Sequence, residues 1–165
     1  LVELKGNRFH RKKNLFSQFQ KQYAWTYESM TFSSVQQVAA MQKEWCTAHE
    51  CQGSHALAAE NTAIARILSH SDKGLMGGIV RVDGKIAAYT IAEPLDRENL
   101  VIHFEKGLNE YKGVYQAINA LFLTHAASEF LVVNREQDLD EEGLRQAKKS
   151  YNPIGQLHKN TVIIA

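Results

Sequence analysis

The run VVNREQDLDEEGLRQAKKSYNP, ending at Pro153, gathers Arg135, Glu136, Asp138, Arg145, Lys148 and Tyr151 into a strand end, a tight turn and a short helix. So many polar groups behind an apolar stretch (Phe130 to Val133) are costly to bury unless they meet one another or a ligand. A guanidinium grips a carboxylate or phosphate through parallel N–H bonds, which makes Arg135 the natural anchor. Glu136 or Asp138 could receive a ligand's free amino group or a lysyl-like side chain. Arg145, Lys148 and Tyr151 recur three apart and so share one stripe of a helix. The alternative is a salt-bridge network satisfied within itself.

A second constellation lies in IHFEKGLNEYKGVYQAIN. His103, Glu105 and Lys106 close a strand, and strict alternation would point His103 and Glu105 into one cleft. Glu105 is the candidate general base for an attacking amine or hydroxyl, with His103 beside it. The competing reading is an ion pair of Glu105 with Lys106 or Arg135. Gly113 opens a helix on which Tyr115, Gln116 and Asn119 could line or support that cleft. Lys112 and the helix N-terminus could receive an anion such as a phosphate, and Lys148 is a second candidate for meeting one.

The start of the chain is basic. Lys5, Arg8, Arg11, Lys12 and Lys13 face only Glu3, and such a helix can neutralise nucleic-acid phosphates or simply present a solvated face. Cys46, His49, Cys51 and His55 carry metal-ligand chemistry, but their spacing matches no familiar zinc site, so no metal is expected. No nucleophile elbow appears, which argues against a Ser–His–Asp hydrolase. The formal net charge of +1 excludes a molecule built to attract polyanions over its whole surface. Two cysteines are too few for a disulfide scaffold and imply a reducing cytoplasm. No apolar run is long enough to span a membrane.

These residues need elements to hold them. Aromatic spacing predicts a helix over Asn7–Tyr23, then alternation predicts a strand over Tyr23–Phe32. Ser34 and Gln37 read as a capping box opening a helix through Val35, Val38, Met41 and Trp45. A second helix carries Leu57, Ile64, Ile67 and Leu68. Strands over Leu75–Val82 and Lys85–Glu93 meet at Asp83-Gly84, a strong hairpin signal. A strand over Asn99–Glu105, a helix over Gly113–Ala127, a strand over Glu129–Asn134, a helix over Glu141–Tyr151 and a strand over Gln156–Ile164 complete the order. Such a mixture is α+β, or α/β by some schemes: a mixed sheet flanked by helices.

Three segments, LKGNRFHRKKNLFSQFQKQY, IHFEKGLNEYKGVYQAIN and VVNREQDLDEEGLRQAKKSYNP, together with RVDGK and ENTAI, resemble the phosphatidylglycerol lysyltransferase C-terminal-domain family over essentially the whole chain. The resemblance implies a GNAT acyltransferase-like fold in which two halves sit in tandem. Residues 1–22 would be the basic linker helix and 23–165 a GNAT-like domain, with an N-terminal GNAT-like half upstream in the same chain. A start without Met fits that expectation. Members of that family whose activity is known move an aminoacyl group from aminoacyl-tRNA onto a lipid head group. For this chain the resemblance implies such a transfer to an amine or hydroxyl, on a small-molecule or lipid head-group acceptor that it does not itself choose, with the basic helix helping to hold tRNA. GNAT enzymes that use coenzyme A cradle its pyrophosphate on a glycine-rich turn. Here that turn keeps only Gly113, with bulky Tyr115 where a small residue is wanted, so aminoacyl-tRNA is the expected donor ahead of acetyl-CoA. Asp140 stands where the family carries glycine. The rival readings are a CoA-dependent N-acetyltransferase and a non-catalytic tRNA-binding module.

Overall fold

Asp83 and Gly84 both take positive φ, 49° and 80°. That is the tight turn whose twist matches a right-twisted hairpin, and it joins β2 (Met76–Val82) to β3 (Lys85–Pro94) in antiparallel register. Asp96 turns the chain again by accepting the backbone N–H groups of Glu98 and Asn99, both at 2.8 Å, and so delivers β4 (Asn99–Gly107) against β3. With β1 (Trp25–Ser29) on one edge and β5 (Val132–Asn134) on the other, the sheet order is β1-β2-β3-β4-β5. Among the described residues, only the β4–β5 pair is parallel. The computed structural model describes residues 4, 6–70, 76–138, 141–157, 160 and 162–163.

Helices cover both faces. On one, α2 (Val35–Ala48) and α3 (His55–Ser69) bring Val38, Met41, Trp45, Ile64 and Leu68 onto Ile79, Tyr89 and Ile91. On the other, α1 (His10–Gln22) and α4 (Val114–His125) bring Phe19, Val114, Ile118 and Leu121 onto Val80, Val82 and Ala88. Helix α1 thus packs on the sheet with Phe19 fully buried. The short α5 (Glu142–Lys149) contributes no buried residue of its own and hands the chain to Tyr151, which is buried against Leu4 and Phe9.

Two features of β4 shape the site. Its pairing with β5 covers only Asn99 to Val101, so the strands part beyond Val101 and Asn134. A bulge also falls at His103, because Ile102 pairs with Ala92 while Phe104 pairs with Ile91. One extra residue inverts the alternation. Ile102 packs against α4 residues Phe122 and Leu123, and three residues later Glu105 touches α4 again.

Three sequence expectations change. Ser34 does not cap α2 with its side chain; its hydroxyl takes the Thr31 N–H at 3.0 Å, while Gln37 accepts from Arg81 at 2.8 Å. Of the strand expected over Gln156–Ile164, residues 158, 159, 161 and 164 lie outside the described residues. Gln156, Leu157, Asn160, Val162 and Ile163 are exposed and belong to no strand, because no neighbouring edge pairs with them. Cys46 and Cys51 are joined in a disulfide with Cα atoms 5.1 Å apart, although so few cysteines had implied a reducing setting. That bond removes both sulfurs from the zinc set, and among the described residues no group of three or more His, Cys, Asp or Glu could hold a metal.

Candidate functional site

Where β4 and β5 part, Arg135 reaches across the gap. Its Nη2 donates to Glu105 Oε1 at 2.7 Å, and Asn119 Nδ2 donates to Glu105 Oε2 at 3.1 Å. Both carboxylate oxygens are therefore engaged, with 9% of the Glu105 side chain exposed. Asn119 is buried on α4 and presents its amide to this one acceptor. Of the two pairings open to Glu105, the structure makes the one with Arg135. Lys106 points the other way, to Glu60 at 2.5 Å and over the Trp45 ring at 4.0 Å.

His103 lies on the same rim but does not share the Glu105 face in the way alternation implied, because the bulge intervenes. Its ring is held at both ends, Nδ1 to Glu136 at 3.2 Å and Nε2 to Glu93 at 3.1 Å. Glu136 adopts φ 56°, and the Asn134 side chain accepts its N–H at 2.9 Å, which bends the chain out of β5. Lys148 secures this bend. Its ammonium donates to the carbonyls of Arg135 at 2.6 Å, Glu136 at 3.1 Å and Gln137, engaging all three of its protons. A phosphate-binding role, expected as one use of Lys148, has no free proton to draw on. Burial and then the Arg135 charge hold the Lys148 ammonium below its ordinary range.

Asp138 and Arg145 form a two-pronged pair, Nε to Oδ2 at 2.6 Å and Nη2 to Oδ1 at 3.3 Å. The expected stripe therefore splits into three roles. Arg145 braces Asp138, Lys148 holds the bend, and Tyr151 faces the cleft. Arg135 lies 4.6 Å over the Tyr151 ring, and Lys12 of α1 lies 3.6 Å over the same ring. Burial pushes the Tyr151 hydroxyl up to about 12. Burial first, then the Arg135 charge, pull the Lys12 ammonium down to about 8.

The basic start is thus not one patch. Lys12 turns into the cleft, whereas Arg8, Arg11 and Lys13 are exposed. Lys5 and Asp140 lie outside the described residues. Tyr115 is partly buried and accepts the Trp45 indole N–H at 3.2 Å; burial pushes its hydroxyl up. Sequence reasoning missed Glu93 and the Glu60–Lys106 pair. Only Glu60 had a signal, since it begins the ENTAI segment.

The N-terminus of α4 is closed by the chain itself. Gly113 has φ 86°, and a Cβ there would sit 2.4 Å from the Leu15 carbonyl oxygen of α1. The Lys112 N–H donates to the Tyr23 hydroxyl at 3.1 Å, and Tyr23 sets its ring edge-on to Tyr111 with centroids 5.4 Å apart. Lys112 itself is exposed beside this seal.

The family model described as phosphatidylglycerol lysyltransferase, C-terminal, matches residues 1–159. The chain belongs to this family. A crystal structure of a conserved protein of unknown function from Bacteroides thetaiotaomicron is 34% identical with a TM-score of 0.88, over 93% of this chain and 53% of that one. The C-terminal domain of a putative lysylphosphatidylglycerol synthetase from Agrobacterium fabrum is 16% identical with a TM-score of 0.64, over 92% of this chain and 53% of that one. A ribosomal-protein-alanine N-acetyltransferase from Brucella melitensis shares the fold at 14% identity and a TM-score of 0.56, over 86% of this chain and 100% of that one. No curated protein matches. The chain spans about half the length of the first two structures. Its sheet and flanking helices are GNAT-like, and family and fold point to an acyltransferase-type transferase. Among the described residues, no helix is long and apolar enough to cross a membrane.

Proposed function

We propose that this chain positions an activated aminoacyl ester, carried on a tRNA 3′ end, for attack by an amine or hydroxyl acceptor. The observation that carries the choice of donor is the sealed N-terminus of α4. A CoA-dependent relative needs that turn open for a pyrophosphate. Here the α1 backbone at Leu15 occupies the space beside Gly113, and Tyr23 takes the Lys112 N–H. An ester donor needs no such turn. It needs alignment, a proton acceptor and stabilisation of charge on the carbonyl oxygen. In this reading Glu105 takes the acceptor's proton as its nitrogen or oxygen attacks, the ester C–O bond breaks, and the leaving ribose oxygen takes that proton back from Glu105. Arg135 orients Glu105 and meets substrate, while Arg8, Arg11 and Lys13 contact tRNA phosphates. The likeness to the Agrobacterium synthetase domain favours a lipid head group among the acceptors.

The deciding experiment is binding of charged tRNA, uncharged tRNA and CoA at two salt concentrations. Preference for charged tRNA supports the reading. Saturable CoA binding without tRNA binding replaces it with an ordinary N-acetyltransferase. Equal binding of both tRNAs, with no transfer to any acceptor, leaves a tRNA-binding module.

A further inference from the structure

We infer that Lys12 and Arg135 together clamp one singly charged oxyanion of a ligand, a phosphodiester or a carboxylate, beside the Tyr151 ring. The inference rests on the proposed transfer only for where that ligand comes from. Its basis is two sets of donors left over in the cleft. Arg135 gives Nη2 to Glu105, but its Nη1 is buried and meets no acceptor. The Lys12 ammonium, 3.6 Å above Tyr151, has no hydrogen-bond acceptor among the described residues. Buried donors are nearly always satisfied, so an orphan beside an ammonium that meets a ring but no acceptor among the described residues marks a place where an acceptor is missing.

Charge decides how much negative charge fits. The groups acting on Lys12 are Arg135 and Arg11, which repel it, and Glu105, which attracts it. Arg11 is exposed and solvated. Within the cleft, two cations therefore face one carboxylate, an excess of one positive charge. The remaining charges offset one another: Lys148 lies within the field of Glu136, and Arg145 pairs with Asp138. A monoanion completes the balance, and a dianion overshoots it. Burial and then the Arg135 charge lower the Lys12 ammonium, and a bound anion would act in the opposite direction.

The test is an NMR titration of the protein with dimethyl phosphate, acetate and sulfate. Saturable shifts at Lys12 and Arg135 are expected with dimethyl phosphate or acetate, and whichever binds tighter names the ligand group. Lys12→Met should weaken that binding about tenfold, the scale of one lost charge-assisted hydrogen bond. Glu105→Gln should tighten it and move the preference toward sulfate, a response no structural role would give. Absence of shifts at these residues, tighter sulfate binding by the wild type, or unchanged affinity in Lys12→Met overturns the clamp. If Lys12→Met does not fold, the wild type is titrated from about pH 7 to about pH 9.5, a range in which lysines with lowered pKa values lose their proton. Monoanion affinity must then fall, and flat affinity overturns the clamp. Anion binding without transfer by the wild type supports the clamp and sinks the transfer proposal; transfer without anion binding does the reverse.

Discussion

Glu105 has two neighbours that donate to it, and they differ in what their loss would do. Asn119 is neutral, whereas Arg135 supplies the counter-charge for a carboxylate that is 9% exposed. Removing one partner of such a pair leaves the other charge buried, which costs about 3 kcal/mol. Arg135→Met should therefore destabilise the protein by about that amount in urea unfolding, and Glu105→Gln should also destabilise it by stranding the guanidinium. The double variant should lose at least about 1 kcal/mol less than the sum. Additivity within about 0.5 kcal/mol would mean that the pair is not coupled. The pairing was legible in the sequence as one of two choices for Glu105, since Lys106 follows it directly and Arg135 ends another strand. The bulge at His103 was not, because one inserted residue changes no hydrophobic pattern, only its phase. Lys148 misled for a related reason: a lysine on a polar stripe looks available until its protons are counted against nearby carbonyls.

Elements were most legible where local chemistry alone dictates them. Asp83-Gly84 demanded a tight turn, and the aromatic spacing of Phe16, Phe19 and Tyr23 demanded a helix. The apolar residues near the C-terminus carried a strand pattern without the partner edge that makes a strand, so pattern and structure diverge there. Helix α1 is the element whose role changed most. Its sequence announced charge, but its structural work is done by Leu15, Phe19 and Tyr23, which close the start of α4. That closure depends on one residue without a side chain. Gly113→Ala puts a Cβ at φ 86° and 2.4 Å from a backbone oxygen, so neither strain nor clash can relax through a rotamer. We expect a loss of at least about 2 kcal/mol and faster amide exchange in α1. Unchanged exchange in α1 would show that the seal is looser than the contact implies.

At the scale of the molecule, a net charge of +1 hides a division of labour along α1. Lys12 belongs to the cleft, and Arg8, Arg11 and Lys13 belong to solvent. If the exposed face holds tRNA, its contribution is counterion release. Each phosphate neutralised contributes about 0.9 to the slope of log affinity against log salt on duplex, and about 0.7 on single strands. Replacing Arg8, Arg11 and Lys13 with glutamine should therefore make that slope shallower by about two to three, with equal losses for charged and uncharged tRNA, since phosphates carry no information about the aminoacyl group. Lys12→Met should act differently: it removes one clamped oxyanion, so it should weaken dimethyl phosphate or acetate binding. It should leave the ratio of charged to uncharged tRNA affinity unchanged, because an aminoacyl ester brings no oxyanion for Lys12 to meet. An unchanged slope in the triple variant would assign the exposed face to solvent alone. The two variants touch side chains on one helix, so only the direction each side chain faces distinguishes their expected effects.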